Sequence, residues 1–270
     1  MATLYLAGIT TLLARGNLEE ARSSIYYGLI MATLALLAVR FVKETERPTE
    51  DRQPSPATAR VTLCVATVLV AGYAIFASFI EFGPQDFLNP SFQPLYKDMS
   101  SNGALRFILG ACVPFAIMRL MRVPKQAMGL GRPRKDTWKL GIIWISTAIG
   151  FLAMDISTDR TSILRALKET YLNLFRNGFT EEYLFRGVLL GRLRRTMRTQ
   201  WAVLIQALAF AAFHYPLDIR VMHGDITSAI AVMICVHGLF GYALGILTIR
   251  TRSILIGSIF HAAADATDII

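Results

Sequence analysis

The residues best able to do chemistry stand in one short stretch, Gly178-Phe179-Thr180-Glu181-Glu182-Tyr183-Leu184-Phe185-Arg186-Gly187, where two adjacent carboxylates interrupt an otherwise apolar run. An ionised carboxylate at the centre of a membrane-spanning helix costs about 2.5–3.5 kcal/mol, so such residues are rare unless they are paired or functional. Glu182 and Arg186 are four apart and can pair along one helix face. Glu181 projects about 100° away from Glu182 and has no local partner, which leaves one carboxylate free to work. The competing reading pairs it with an arginine of another helix, Arg176 or Arg106.

Two later segments carry matching groups. One ends Phe210-Ala211-Ala212-Phe213-His214, and the other reads Phe260-His261-Ala262-Ala263-Ala264-Asp265, which sets His261 and Asp265 four apart on one face. A lone histidine on an apolar face is usually a satisfied core residue. Two of them on separate segments, together with carboxylates, suggest a shared site. At about 1.5 Å per helical residue, counted from the nearest segment start or flanking arginine, Glu181 lies roughly 17 Å deep, His214 roughly 20 Å, His261 roughly 14 Å and Asp265 roughly 20 Å. The expected site is therefore a layer near mid-membrane. His223 falls in a polar connection and is expected to be solvated, while His237 lies on an apolar segment, where a core hydrogen bond is favoured over a place in the cavity.

The elements that must hold these groups are membrane spans. The chain has 270 residues, 54% hydrophobic and only 17% charged, with a mean hydropathy of +0.45; those are not values of a soluble domain. A helix needs about 20 apolar residues to cross a roughly 30 Å hydrocarbon core. Candidates are 23–41, 61–80, 104–121, 140–156, 228–249 and 254–269, with two shorter or more polar ones at 172–191 and 201–216. The expectation is an all-α polytopic membrane protein with about eight transmembrane helices. It divides into N-terminal spans and a linker over 1–100 and a core over 101–270 that carries every group named above.

Charge orients the spans. Arg40 to Arg60 holds five basic residues, Arg119 to Lys139 seven and Arg192 to Arg198 four, against the single Lys97 in Glu81 to Gly103. Basic connections collect on the cytoplasmic side. Only Arg165, Lys168 and Arg176 fall on the wrong side of this alternation, so 161–176 is read as partly interfacial. The Pro-, Thr- and charge-rich segment 42–60 reads as a flexible cytoplasmic linker. The net charge of +9 is spread over these connections and not gathered into a groove, so nucleic acid is not an expected partner. Cys64, Cys112 and Cys235 sit in apolar runs without paired spacing, which argues against a disulfide framework or a thiolate metal site. The apolar stretch from Ala2 to Ala14 lacks a preceding basic region, so it is not read as a removed signal peptide.

Glu181-Glu182-x3-Arg186, Phe210-x3-His214 and His261-x3-Asp265, in that order on hydrophobic helices, resemble the motif set of the CAAX-protease and bacteriocin-processing family, the type II prenyl endopeptidases and their prokaryotic relatives. The resemblance covers about residues 164–269. It implies a multi-pass protein of the cell membrane, an intramembrane endopeptidase acting on membrane-associated protein or peptide substrates, prenylated ones included. Membrane lipid would be its other partner. By the same resemblance, Glu181 would activate water with help from His214, His261 and Asp265 would bind the developing oxyanion, and Glu182 and Arg186 would support them.

Asp265 departs from relatives that have Asn there. An ionised aspartate cannot donate to an oxyanion; it would have to be protonated, or to orient His261 as an acceptor. The same aspartate suits a zinc site with Glu181, His214, His261 and Asp265 as ligands. The sequence thus leaves open whether the cofactor is zinc or none. Two readings from other classes compete: a non-catalytic membrane protein of bacteriocin immunity or scaffolding, which retention of Glu181 and both histidines disfavours, and an ion or proton transporter, which the lack of a repeated half disfavours.

Overall fold

A computed structural model describes residues 1–42, 55–82 and 103–267. The boundary expected at residue 100, Lys97 and most of the linker expected over 42–60 lie outside these residues. Among the described residues the chain is helical, without a named strand; the one β-bridge pairs Leu130 with Ser253.

The first helices are α1 (Ala2–Ala14) and α2 (Leu18–Phe41), joined by a tight turn in which Gly16 takes a φ of 78°. That left-handed backbone costs glycine nothing. Next come α3 (Pro56–Phe82), α4 (Gly103–Leu120), α5 (Trp138–Ser157) and a continuous helical stretch over 163–196, here α6. The chain ends with α7 (Thr199–Val221), α8 (Ile226–Thr251) and α9 (Leu255–Ala264).

Six of these helices, α2, α3, α4, α5, α7 and α8, are long and apolar enough to cross a membrane. The other two expected spans differ from that picture for identifiable reasons. The 172–191 segment belongs to a longer helix that carries too many charges to qualify by composition, and α9 has 10 residues, about 15 Å at 1.5 Å each, roughly half of a hydrocarbon core. The 201–216 segment does not stop at Pro216. Helix α7 runs on to Val221 with the proline inside it, so Asp218 is helical and buried and does not belong to the polar connection. His223 is exposed in the turn that follows, as expected.

The outward faces explain why the bundle belongs in lipid. Leu29 and Leu36 on α2 are 62% and 68% exposed, and Val68 and Ile75 on α3 are 69% and 71% exposed. Apolar stripes of this size would be a liability in water. The opposite face of α2, Tyr27, Met31, Leu34 and Ala38, recurs at helical spacing and is buried in the main core. The start of α6 exposes Leu164, Leu167 and Tyr171 beside Arg165 and Lys168, an amphipathic pattern that supports the interfacial reading of this turn.

The centre of the bundle is α6, whose residues from 181 to 190 are all buried. Helix α9 packs along its first half, where Gly178 makes the approach possible: a Cβ there would lie 2.6 Å from the Ser258 carbonyl oxygen and 2.9 Å from the Ala262 Cβ. Close backbone approach through a small residue is the usual way helices associate in membranes. Helices α7 and α8 close the other side through aromatic contacts, with Phe185 edge-on to Phe210 at 5.2 Å and Phe210 against Phe240 at 6.0 Å.

Candidate active site

Three helices bring Glu181, His214, His261 and Asp265 to one cavity. Its lining also includes Arg106, Asn177 and His237, and it encloses roughly 180 Å³, enough for several water molecules. Glu181 and His261 are buried, whereas the side chains of His214 and Asp265 keep 16% and 17% of their surface, so the cavity is reached past the latter two.

The adjacent glutamates do different things. Glu182 Oε1 accepts a hydrogen bond from His261 Nδ1 at 3.0 Å and lies 3.0 Å from Arg186 Nη1. The latter contact is an ion pair without hydrogen-bond alignment. The Arg186 guanidinium is fully buried and lies over the Phe210 ring, Cζ 4.0 Å from its centre, so charge and a π face stand in for the water it has lost. The expected pairing of Glu182 with Arg186 is therefore present, and it also anchors a histidine.

Glu181 faces the cavity with two imidazoles around one oxygen. Its Oε2 lies 3.8 Å from His214 Nε2 and 3.7 Å from His261 Nε2, and it is buried without a hydrogen bond. Of the arginines considered as partners, Arg176 lies on α6 itself, not on another helix, and donates to Asn173 Oδ1 at 2.5 Å, while Arg106 of α4 donates to Asn177 Oδ1 at 3.5 Å.

Hydrogen bonds fix the histidine tautomers. His214 Nδ1 is 2.9 Å from the Phe210 carbonyl, which can only accept, so Nδ1 carries the proton; in the neutral ring that leaves Nε2, turned towards Glu181, bare. His261 is surrounded by acceptors, with Glu182 at Nδ1 and both Glu181 Oε2 and Asp265 Oδ1 near Nε2, the last at 3.5 Å. Nδ1 donates to Glu182, and a proton on Nε2 faces the other two carboxylates.

Asp265 acts as an acceptor throughout. Besides its contact to His261, its Oδ2 takes a hydrogen bond from Asn177 Nδ2 at 2.8 Å. Asn177 was missed in the sequence, although Asn173, Asn177 and Glu181 recur every four residues, a polar stripe on one helix face. His237 lines the cavity and also has the expected core hydrogen bond, to Asp218 Oδ1 at 3.2 Å.

Zinc fits this geometry poorly. Ligands at 2.0–2.1 Å around a tetrahedral zinc are about 3.3–3.4 Å apart, whereas Glu181 stands 3.8 Å from His214 and 3.7 Å from His261, and His261 stands 3.5 Å from Asp265. Among the described residues, no group of three or more His, Cys, Asp or Glu side chains is arranged to hold a metal ion.

The turns on either side of Glu181 are wound as π-helix, Leu174–Gly178 and Glu182–Leu189, as is Ile234–Gly238 around His237. Such widened turns occur mostly as local insertions near functional groups.

Residues 164–267 match the family described as type II CAAX prenyl endopeptidase Rce1-like, over the stretch that supplies Glu181, His214, His261 and Asp265. No curated protein and no solved structure matches the chain.

Proposed function

We propose, from the match of residues 164–267 to the type II CAAX prenyl endopeptidase Rce1-like family, that this multi-pass membrane protein hydrolyses peptide bonds in its buried cavity through a water activated by Glu181. The observation that carries the reading is the unpartnered Glu181 Oε2 facing the bare Nε2 of His214 across 3.8 Å. Two acceptors so placed suit one water that donates a hydrogen to each.

In the reaction, Glu181 takes a proton from that water as its oxygen adds to the scissile carbonyl carbon, while His214 holds the second hydrogen. The carbonyl oxygen becomes an oxyanion, and the His261 Nε2–H is the donor best placed to receive it. Glu182 accepts from the His261 ring at Nδ1 and so aims it, while Asp265, 3.5 Å from Nε2, supplies a negative charge beside that donor and holds Asn177. The proton held by Glu181 then passes to the departing amine, the C–N bond breaks, and carboxylate and amine products remain. General base catalysis of this kind contributes about 10²–10⁴-fold.

The substrates are membrane-associated proteins or peptides, prenylated ones among them, reached from the lipid or from the side on which His214 and Asp265 are exposed. The test is cleavage of a fluorogenic prenylated peptide by the purified full chain in detergent, with Glu181→Gln and chelator-treated wild type alongside. Wild type is expected to cleave, the variant to lose about 10²–10⁴-fold in kcat, and chelation to change nothing. Equal rates for wild type and Glu181→Gln would sink the role of Glu181; loss under chelator would restore the metal.

A further inference from the structure

We infer that His237, tethered by Asp218, is a positioning residue for His214. The inference rests on the reading of His214 as the partner of Glu181, and it concerns two residues outside the three motifs.

His214 and Asp218 are four apart on α7 and therefore share a face, while His237 comes from the widened turn of α8 opposite them. The His237 ring lies parallel to that of His214, centroids 4.1 Å apart and planes 10° apart. Its Nε2 donates to Asp218 Oδ1 at 3.2 Å. Phe210 and Phe213 touch the same imidazole at 4.5 and 4.9 Å, the second edge-on. His214 is thus held by one hydrogen bond along its Nδ1 axis and by a ring laid flat against its face.

The flat contact does what the single hydrogen bond cannot. A ring pinned only at Nδ1 can rock about that bond and swing Nε2 away from Glu181. A parallel neighbour removes that freedom, provided its own plane is fixed, and Asp218 fixes it.

Core packing alone does not account for the pair. His237 and Asp218 are 4% and 3% exposed, and each keeps a buried polar atom, His237 Nδ1 and Asp218 Oδ2, without a hydrogen bond among the described residues. Burying such atoms is costly, and a hydrocarbon ring would fill the space without that penalty. The polar pair therefore serves an orientation that a phenyl ring would supply only in part.

The chain has four histidines, so ¹⁵N-histidine NMR of the full chain in detergent can be assigned by replacing them one at a time. Above the pH at which it protonates, His214 is expected to show a single tautomer with Nδ1 protonated. In His237→Ala and Asp218→Ala that signature should average towards a mixture, with kcat down roughly ten- to hundred-fold and KM within about twofold. Asp218→Asn, which keeps the acceptor, should restore both, and His237→Phe, which keeps a flat ring in nearly the same volume, should fall in between and guards against a collapsed cavity.

An unchanged His214 signature in both alanine variants would overturn the inference, even if kcat fell. Should wild type cleave nothing, the tautomer measurement still decides the matter, and the missing cleavage counts only against the proposed function.

Discussion

Glu182 holds His261 by its Nδ1 edge at 3.0 Å, while the preceding residue, Glu181, faces the Nε2 edge of the same ring at 3.7 Å. Adjacent carboxylates on one helix thus grip one imidazole from opposite sides. Only the first is tied to an arginine, which divides the pair into a structural member and a reactive one.

That division predicts opposite failures. Arg186→Met leaves Glu182 buried and without its cation, and removing one partner of a buried pair destabilises by about 3–5 kcal/mol. Thermal unfolding in detergent should show a large loss of stability for Arg186→Met and little for Glu181→Gln. Similar stabilities for the two variants would contradict the division.

Asp265 should matter as an acceptor. Asp265→Ala removes the carboxylate that stands beside His261 and holds Asn177, and supporting partners of this kind are typically worth about 10- to 100-fold. Asp265→Asn keeps an acceptor and should retain most of the activity. Comparing kcat/KM for the two would show whether charge or hydrogen bonding is what the position supplies.

The seam between α6 and α9 allows a paired test of packing. Gly178→Ala drives a methyl group into the Ser258 carbonyl and should cost about 1–3 kcal/mol, the usual penalty of overpacking, with loss of activity as His261 is pushed from Glu181. Gly72→Ala on α3 meets nothing within 4 Å and should be neutral or slightly stabilising. Equal stabilities for the two would argue that α9 does not pack here.

At the polar connection before α8, hydrogen bonds from Ser228 and Arg15 hold the Asp225 carboxyl down at about 2, from an ordinary value of 3.8. A depressed carboxylate stabilises the fold above its unfolded pKa and loses that contribution as pH falls through the folded one. The attachment of α1 to α8 is therefore expected to hold down to about pH 4 and to weaken from there to about pH 2. Hydrogen exchange in α1 should show this acid limb in wild type, and Asp225→Asn should flatten it.

Much of this site could be read from residue spacing. Four-residue intervals identified Glu182 with Arg186 and His261 with Asp265 because a helix puts such pairs on one face wherever it sits. What crosses between helices could not be read: nothing in the spacing says that Asn177 reaches Asp265, or that His237 lies flat on His214. Hydropathy also overestimated α9, since the apolar residues of 254–269 record burial as readily as a crossing, and it ended α7 at Pro216, where bundle packing carries the helix on. The π-wound turns leave no sequence signature of their own.

Gly178 has one more consequence. Because no side chain separates α6 from α9 there, the carboxylates of one helix and the imidazole of the other move as a single body. Among the described residues His214 meets that body through rings, Phe210 and Phe213 of its own helix packing on Phe185 of α6 and Phe210 on His261 of α9, and ring contacts slide where backbone contacts do not. The distance between His214 and Glu181 is therefore the soft coordinate of the site, the one that an arriving substrate can shorten.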